Sequence, residues 1–151
     1  MPTMTPTVPT VQSLYAGRAM FSIINPDGER YTFRIPYKEA DAKYKYPSWF
    51  VRCQHGNNPW SYLGKLSPPN DAKRDLWSTS KSPVGTPEWQ LAAKIFKFAL
   101  AIIEGRRSLP SGYVLTHCGK CAVCGKRLKT EASIAAGIGP TCLAKAAERF
   151  G

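Results

Sequence analysis

The chain has 151 residues, of which 43% are apolar and 21% charged, which is the composition of one soluble globular domain with or without a small appendage. Its longest uninterrupted apolar run, Phe98 to Ile103, is far too short to span a bilayer, and no charged-then-apolar secretory leader opens it. Twenty-one Lys and Arg against ten Asp and Glu leave a net charge of +11, an excess that favours a polyanionic partner, nucleic acid foremost.

Residues 1–11 carry three prolines, four threonines and no charge, and are expected to form a disordered tail. An α+β core is expected over residues 12–112. The apolar run from Arg18 to Asn25 leads into Asn25-Pro26-Asp27-Gly28, a type I turn signal. Beyond it Arg30, Thr32 and Arg34 alternate with Tyr31, Phe33 and Ile35, so the two segments read as a hairpin with one buried and one wet face. A second hairpin is expected from the aromatic-rich runs 49–54 and 60–66 around His55-Gly56-Asn57-Asn58-Pro59. Residues 67–86, rich in Pro, Ser, Asn, Asp and Lys, read as a long connection with room for one short edge strand at most.

The clearest helix spans about residues 87–104. Thr86 suits the N-cap, Pro87 the first helical position, Glu88 the positive end of the dipole and Gly105 the stop. Ala92, Ile95, Phe96, Ala99, Ile102 and Ile103 share one face, expected to cover an antiparallel sheet of four to five strands. A short strand, Tyr113 to Thr116, opens a C-terminal module of residues 113–151, which ends in a helix beginning at Pro140.

That module holds four of the five cysteines: Cys118, Cys121, Cys124 and Cys142, with His117 adjoining. Without a secretory context, metal explains them better than disulfides. Cys121-Ala122-Val123-Cys124-Gly125 has the form of a zinc knuckle: two thiolates three residues apart reach one ion, and the glycine lets backbone N–H groups turn toward the sulfurs. Cys142 falls in the first turn of the expected last helix, where a thiolate is favoured. The fourth ligand is either His117 or Cys118; neighbours in extended backbone point opposite ways, so only one serves. An all-cysteine set also suits an iron–sulfur cluster, but the glycine after the second knuckle cysteine is typical of zinc ribbons. Four protein ligands leave no open position for water, so one structural Zn²⁺ is expected.

His117-x3-Cys121-Ala-Val-Cys124-Gly125-Lys126-Arg127-Leu128, followed by Ser133-Ile134 and Gly137-Ile138-Gly139-Pro140-Thr141-Cys142, resembles a zinc-binding domain of unknown function common in small bacteriophage proteins. Tyr31-Thr32-Phe33-Arg34, Trp49-Phe50-Val51, Tyr62-Leu63-Gly64 and Lys81-Ser82 are similar to segments of the same proteins, so the resemblance covers about residues 20–145. It implies His117 as the fourth ligand, because Cys118 stands where those proteins usually carry an acidic residue. Lys126 replaces their usual Arg. It also implies a place in the cytoplasm of an infected bacterial host.

Between Gly105 and Thr130 lie Arg106, Arg107, Lys120, Lys126, Arg127 and Lys129 and no acid. They form either a solvated basic face or a surface that tracks phosphates around the knuckle. Most sheet aromatics are expected in the core, with Trp60 and Tyr62 the candidates for base stacking because a polar loop adjoins them. Cys53 and His55 read as strand and loop fillers. No Ser/His/Asp set, phosphate-binding glycine loop or carboxylate pair assembles, so an enzyme is not expected. The expected function is a nucleic-acid-binding accessory factor for single-stranded DNA or RNA; the alternative is a host-takeover or anti-defence protein that binds a host protein.

Overall fold

A computed structural model of the chain describes residues 9–42, 46–69 and 74–117. The expected zinc ribbon and terminal helix, and residues 1–8 of the expected tail, lie outside the described residues. Within them the architecture is an antiparallel sheet with one main helix on one face.

The first element is a single helical turn, α1 (Val11–Leu14), held by a reciprocal capping box between Thr10 and Ser13. It delivers Leu14 and Tyr15 into the core beneath β1 (Arg18–Ile24). β1 turns at Asn25–Gly28 into β2 (Arg30–Lys38), and the Asn25 carboxamide oxygen accepts bonds from the Asp27 and Glu29 amides. β3 (Ser48–His55) and β4 (Ser61–Leu66) form the second hairpin. The long connection contributes β5 (Leu76–Trp77), α2 (Pro87–Ile103) follows, and β6 (Val114–His117) closes the described chain.

The sheet order is β5-β4-β3-β2-β1-β6, with every described neighbour pair antiparallel. Six strands correct the expected four to five. The shortfall has a physical reason: β6 joins the sheet by pairing with β1 (Phe21 opposite His117, Ile23 opposite Leu115), a contact between distant parts of the chain that no local periodicity announces.

α2 has the expected caps. Thr86 Oγ1 accepts from the Trp89 amide, and Gly105, at φ 78°, ends the helix with a Schellman pair of bonds, Gly105 N–H to Ile102 O and Arg106 N–H to Ala101 O. The buried stripe is rotated from the expected one: Ala92, Ala93, Phe96, Ala99 and Leu100 are buried, while Ile95, Ile102 and Ile103 are only partly covered. Three of the five buried residues are alanines, and Phe96 and Leu100 are the large side chains that α2 buries. Phe96 packs edge-on against Phe33 at 5.2 Å and beside Phe21 at 6.2 Å, and Phe21 faces Phe33 across β1 and β2 at 5.4 Å.

In the same core the N-terminal turn is tied to the start of β3 and the end of β4. Trp49 meets Tyr15 edge-on at 5.2 Å, its indole N–H donates to Tyr15 O, and the Tyr15 hydroxyl donates to Ser67 O at 2.7 Å. Burial pushes the Tyr15 phenol up to about 12, so it remains a donor across the physiological range. Among the described residues no helix is long and apolar enough to cross a membrane.

Candidate nucleic-acid interface

The sheet has two faces of different chemistry. The face under α2 carries Phe21, Ile23, Phe33, Ile35, Val51 and Leu63, all buried. Pleat alternation sends Arg34, Phe50 and Arg52 to the opposite face. Not one Asp or Glu occurs within the six strands, while Arg18, Arg30, Arg34, Lys38, Arg52 and Lys65 do.

Arg34 and Arg52 stand directly opposite each other across β2 and β3. Like charges in that position repel by a few tenths to about 1 kcal/mol. Each guanidinium instead lies over an aromatic ring: Arg34 Cζ is 4.5 Å from the Trp60 ring centre and Arg52 Cζ 5.7 Å from that of Tyr62. A third pair, Lys65 Nζ over Phe50 at 5.5 Å, continues the pattern. Arg34 Nε is buried with no hydrogen-bond partner among the described residues. The result is a half-exposed surface of alternating cations and π faces, on strands that themselves carry no carboxylate.

A bulge in β4 makes this arrangement possible. Phe50 is paired with Lys65 and Arg52 with Tyr62, so three residues on β3 oppose four on β4. The extra residue places Tyr62 and Lys65, three apart, on the same face. It is pinned from below: Leu63 is fully buried, and its carbonyl accepts from both Ser82 Oγ (2.7 Å) and Trp89 Nε1 (2.9 Å). Gly64, at φ 155°, lies so close to β5 that an added Cβ would run into the Trp77 carbonyl. The loop after β5 then closes a groove of about 490 Å³ between Phe50, Arg52, Tyr62, Lys65 and residues 79–81.

Trp60 and Tyr62 therefore share one face. Arg106 and Arg107 do not join them. Arg106 pairs with Glu104 at 2.7 Å, and Glu104 also holds Arg74 at 3.3 Å. Arg107 covers Phe98 at 4.5 Å and lines a separate groove of about 640 Å³ between α2, Tyr31 and Tyr113. Lys120, Lys126, Arg127 and Lys129 lie outside the described residues. Arg34, Arg52, Lys65 and Phe50 are the residues that sequence reasoning passed over as site candidates; the signal was the absence of acids from every strand.

Of the candidate metal ligands, His117 alone is described; Cys118, Cys121, Cys124 and Cys142 lie outside the described residues. His117 ends β6 opposite Phe21, on the α2 side with Leu115, and is 8% exposed. A buried imidazole at the last sheet position, with Cys121, Cys124 and Cys142 among the four cysteines that follow it in sequence, is a donor set that suits tetrahedral zinc. Cys53 is not part of it. It is buried in β3, where desolvation pushes its thiol up to about 12, far from thiolate character. His55 stacks on Tyr31 at 4.3 Å with Nε2 3.4 Å from a Glu29 oxygen, which accounts for its position without a metal.

Residues 116–147 match a family of unknown function, DUF6011. No curated protein and no solved structure matches the chain. The family match begins inside β6 and covers His117 and the cysteine-rich tail, the segment singled out by its ligand spacing.

Proposed function

We propose that the chain is a nucleic-acid-binding accessory protein that holds single strands on the sheet face opposite α2, with a tail folded around one structural Zn²⁺ on His117, Cys121, Cys124 and Cys142. The observation that supports binding is the apposed pair Arg34 and Arg52, each laid on an aromatic ring within a sheet whose strands lack any acid. Two guanidiniums held side by side, with no carboxylate paired to them among the described residues, are relieved by phosphate, and half-exposed rings beside them accept bases. Bases stack on such rings only when unpaired, which favours single strands over duplex. The basic residues Lys120, Lys126, Arg127 and Lys129 extend the phosphate path onto the tail, and the zinc lowers the ordering cost of presenting them. A setting consistent with the phage-type tail motif is the cytoplasm of an infected bacterium.

Salt-titrated binding to single-stranded and duplex probes tests this. Each phosphate contact adds about 0.7 to the magnitude of the slope of log K against log [salt] for a single strand. An Arg34→Ala/Arg52→Ala variant should bind more weakly, with a slope flatter by about 1.4. Absence of wild-type binding to any probe at low salt refutes the proposal and directs the search to a host protein.

A further inference from the structure

The groove at the β4 end of the sheet differs from the rest of the face in being walled and pre-formed. We propose that it is a subsite for one unpaired nucleotide, with the base against Tyr62 and the phosphate between Lys65 and Lys81; the proposal rests on the single-strand reading above.

The floor comes from the bulge, which sets Phe50, Arg52, Tyr62 and Lys65 around one point. The wall is the 79–82 turn, and it is held from several sides. Thr79 N–H bonds Ser82 Oγ at 2.9 Å, Ser82 Oγ donates to the bulge carbonyl of Leu63, and the Tyr62 hydroxyl shares a hydrogen bond with Thr79 Oγ1 at 3.1 Å. The Tyr62 ring is thus fixed at both ends, by its strand and by its hydroxyl. A ring already immobilised loses little further freedom when a base lies on it.

The chemistry of the lining fits a nucleotide. Among the described residues its charged groups are Arg52, Lys65 and Lys81, all cationic, and its remaining polar groups are the hydroxyls of Tyr62, Thr79 and Ser80. A volume of about 490 Å³ lies in the ordinary range for small-ligand sites. The Phe50 and Tyr62 rings are 6.2 Å apart and tilted by 53°, so they cannot sandwich a base between parallel planes. That leaves one stacking surface, and so one base rather than a run of them.

The test uses the full zinc-loaded chain with labelled oligothymidylate and oligouridylate of about twelve nucleotides, a length near the usual site size, and an abasic strand of the same length. Tyr62→Leu should weaken the base-bearing probes about tenfold with an unchanged salt slope, and should leave the abasic strand unaffected. Lys81→Gln should weaken all probes and flatten the slope by about 0.7. Tyr62→Phe, which keeps the ring and drops the hydroxyl, should stay within about threefold of wild type, the cost of one neutral hydrogen bond. A preference between the thymidylate and uridylate strands identifies DNA or RNA as the natural ligand. If wild type binds while Tyr62→Leu and Lys81→Gln bind as well and with the same slope, the subsite is wrong and the broader single-strand reading survives. Equal loss on abasic and base-bearing probes in Tyr62→Leu also overturns it, because that pattern reports a structural defect. Failure of wild type to bind any strand removes both.

Discussion

Replacing Gly64 by alanine should damage one corner of the protein and leave the rest. The new Cβ would run into the Trp77 carbonyl oxygen, with the carbonyl carbon 3.1 Å and Ser78 Cα 3.4 Å away. All three are backbone atoms, so no side-chain rotation relieves the clash. Residue 64 also has φ 155°, which costs an L-residue about 1–3 kcal/mol. If the backbone yields instead, β5 leaves β4, and the Leu76 and Trp77 pairing and the Ser82 bond to Leu63 are lost. Two or three such bonds at about 1 kcal/mol each give a similar total. Undocking this segment sets a ceiling on the damage, so a loss of about 3 kcal/mol is expected. For a chain of this length each kcal/mol lowers Tm by about 2–4 °C, which predicts a fall near 10 °C. Calorimetry reads the total. Hydrogen exchange should show protection lost at residues 74–82 and retained through β1, β2 and α2, and the Tyr62 subsite should weaken in parallel. A Gly64→Ala protein within 1 °C of wild type, with the Leu76 and Trp77 amides still protected, would refute the reasoning.

Metal analysis of single variants decides the ligand set: His117→Ala, Cys121→Ser, Cys124→Ser and Cys142→Ser should each lose the zinc, and Cys118→Ser should keep it; the reverse result for His117 and Cys118 exchanges their roles. Chelation should release the tail beyond about His117 while amides of the sheet and α2 stay protected, because a large apolar core is built from residues that precede the tail; global unfolding on chelation contradicts this. A Lys126/Arg127/Lys129→Ala variant that keeps its zinc should bind single strands with a slope flatter by about 2, read by the same salt titration. Stability should fall as pH rises from about 9 toward 12, since burial holds the Cys53 thiol and Tyr15 phenol neutral in the fold while the unfolded chain loses those protons earlier. Their contribution is fully present below the unfolded values, and alkaline denaturation of Cys53→Ala should be shallower.

Much of the fold is legible because it is local. Thr86 and Gly105 bracket α2, and alternation around Phe33 identifies β2, although Thr32 on the face expected to be wet is buried beside Ser22. What escapes notice depends on partners far away. The β4 bulge is invisible in Tyr62-Leu63-Gly64-Lys65 alone, since only the fixed pairing with Phe50 and Arg52 reveals the extra residue. Without it Lys65 would be assigned to the buried face and the groove would have no floor. Trp60 and Tyr62 are readable as candidates from their loop, but the cations that meet them sit on other strands, at Arg34 and Arg52. The proposed zinc ligands are the opposite case: sequence alone carries the argument for Cys121, Cys124 and Cys142.

The pairing of β1 with β6 has a consequence for the order in which the protein can be made. β1 ends at Ile24 and its outer partner begins at Val114, so synthesis must run through the residues between them before that edge is covered. At about 5–20 residues per second the gap lasts on the order of 5–20 seconds. Throughout it the nascent hairpin of β1 and β2 can close, but Phe21 and Ile23 lie on a strand whose outer N–H and C=O groups have no mate. Exposed apolar edges of this kind invite pairing with another chain. Arg18 at the start of β1 limits that hazard without removing it. A ribosome-bound chain stopped before residue 114 should therefore engage chaperones or aggregate, and one that has released β6 should not.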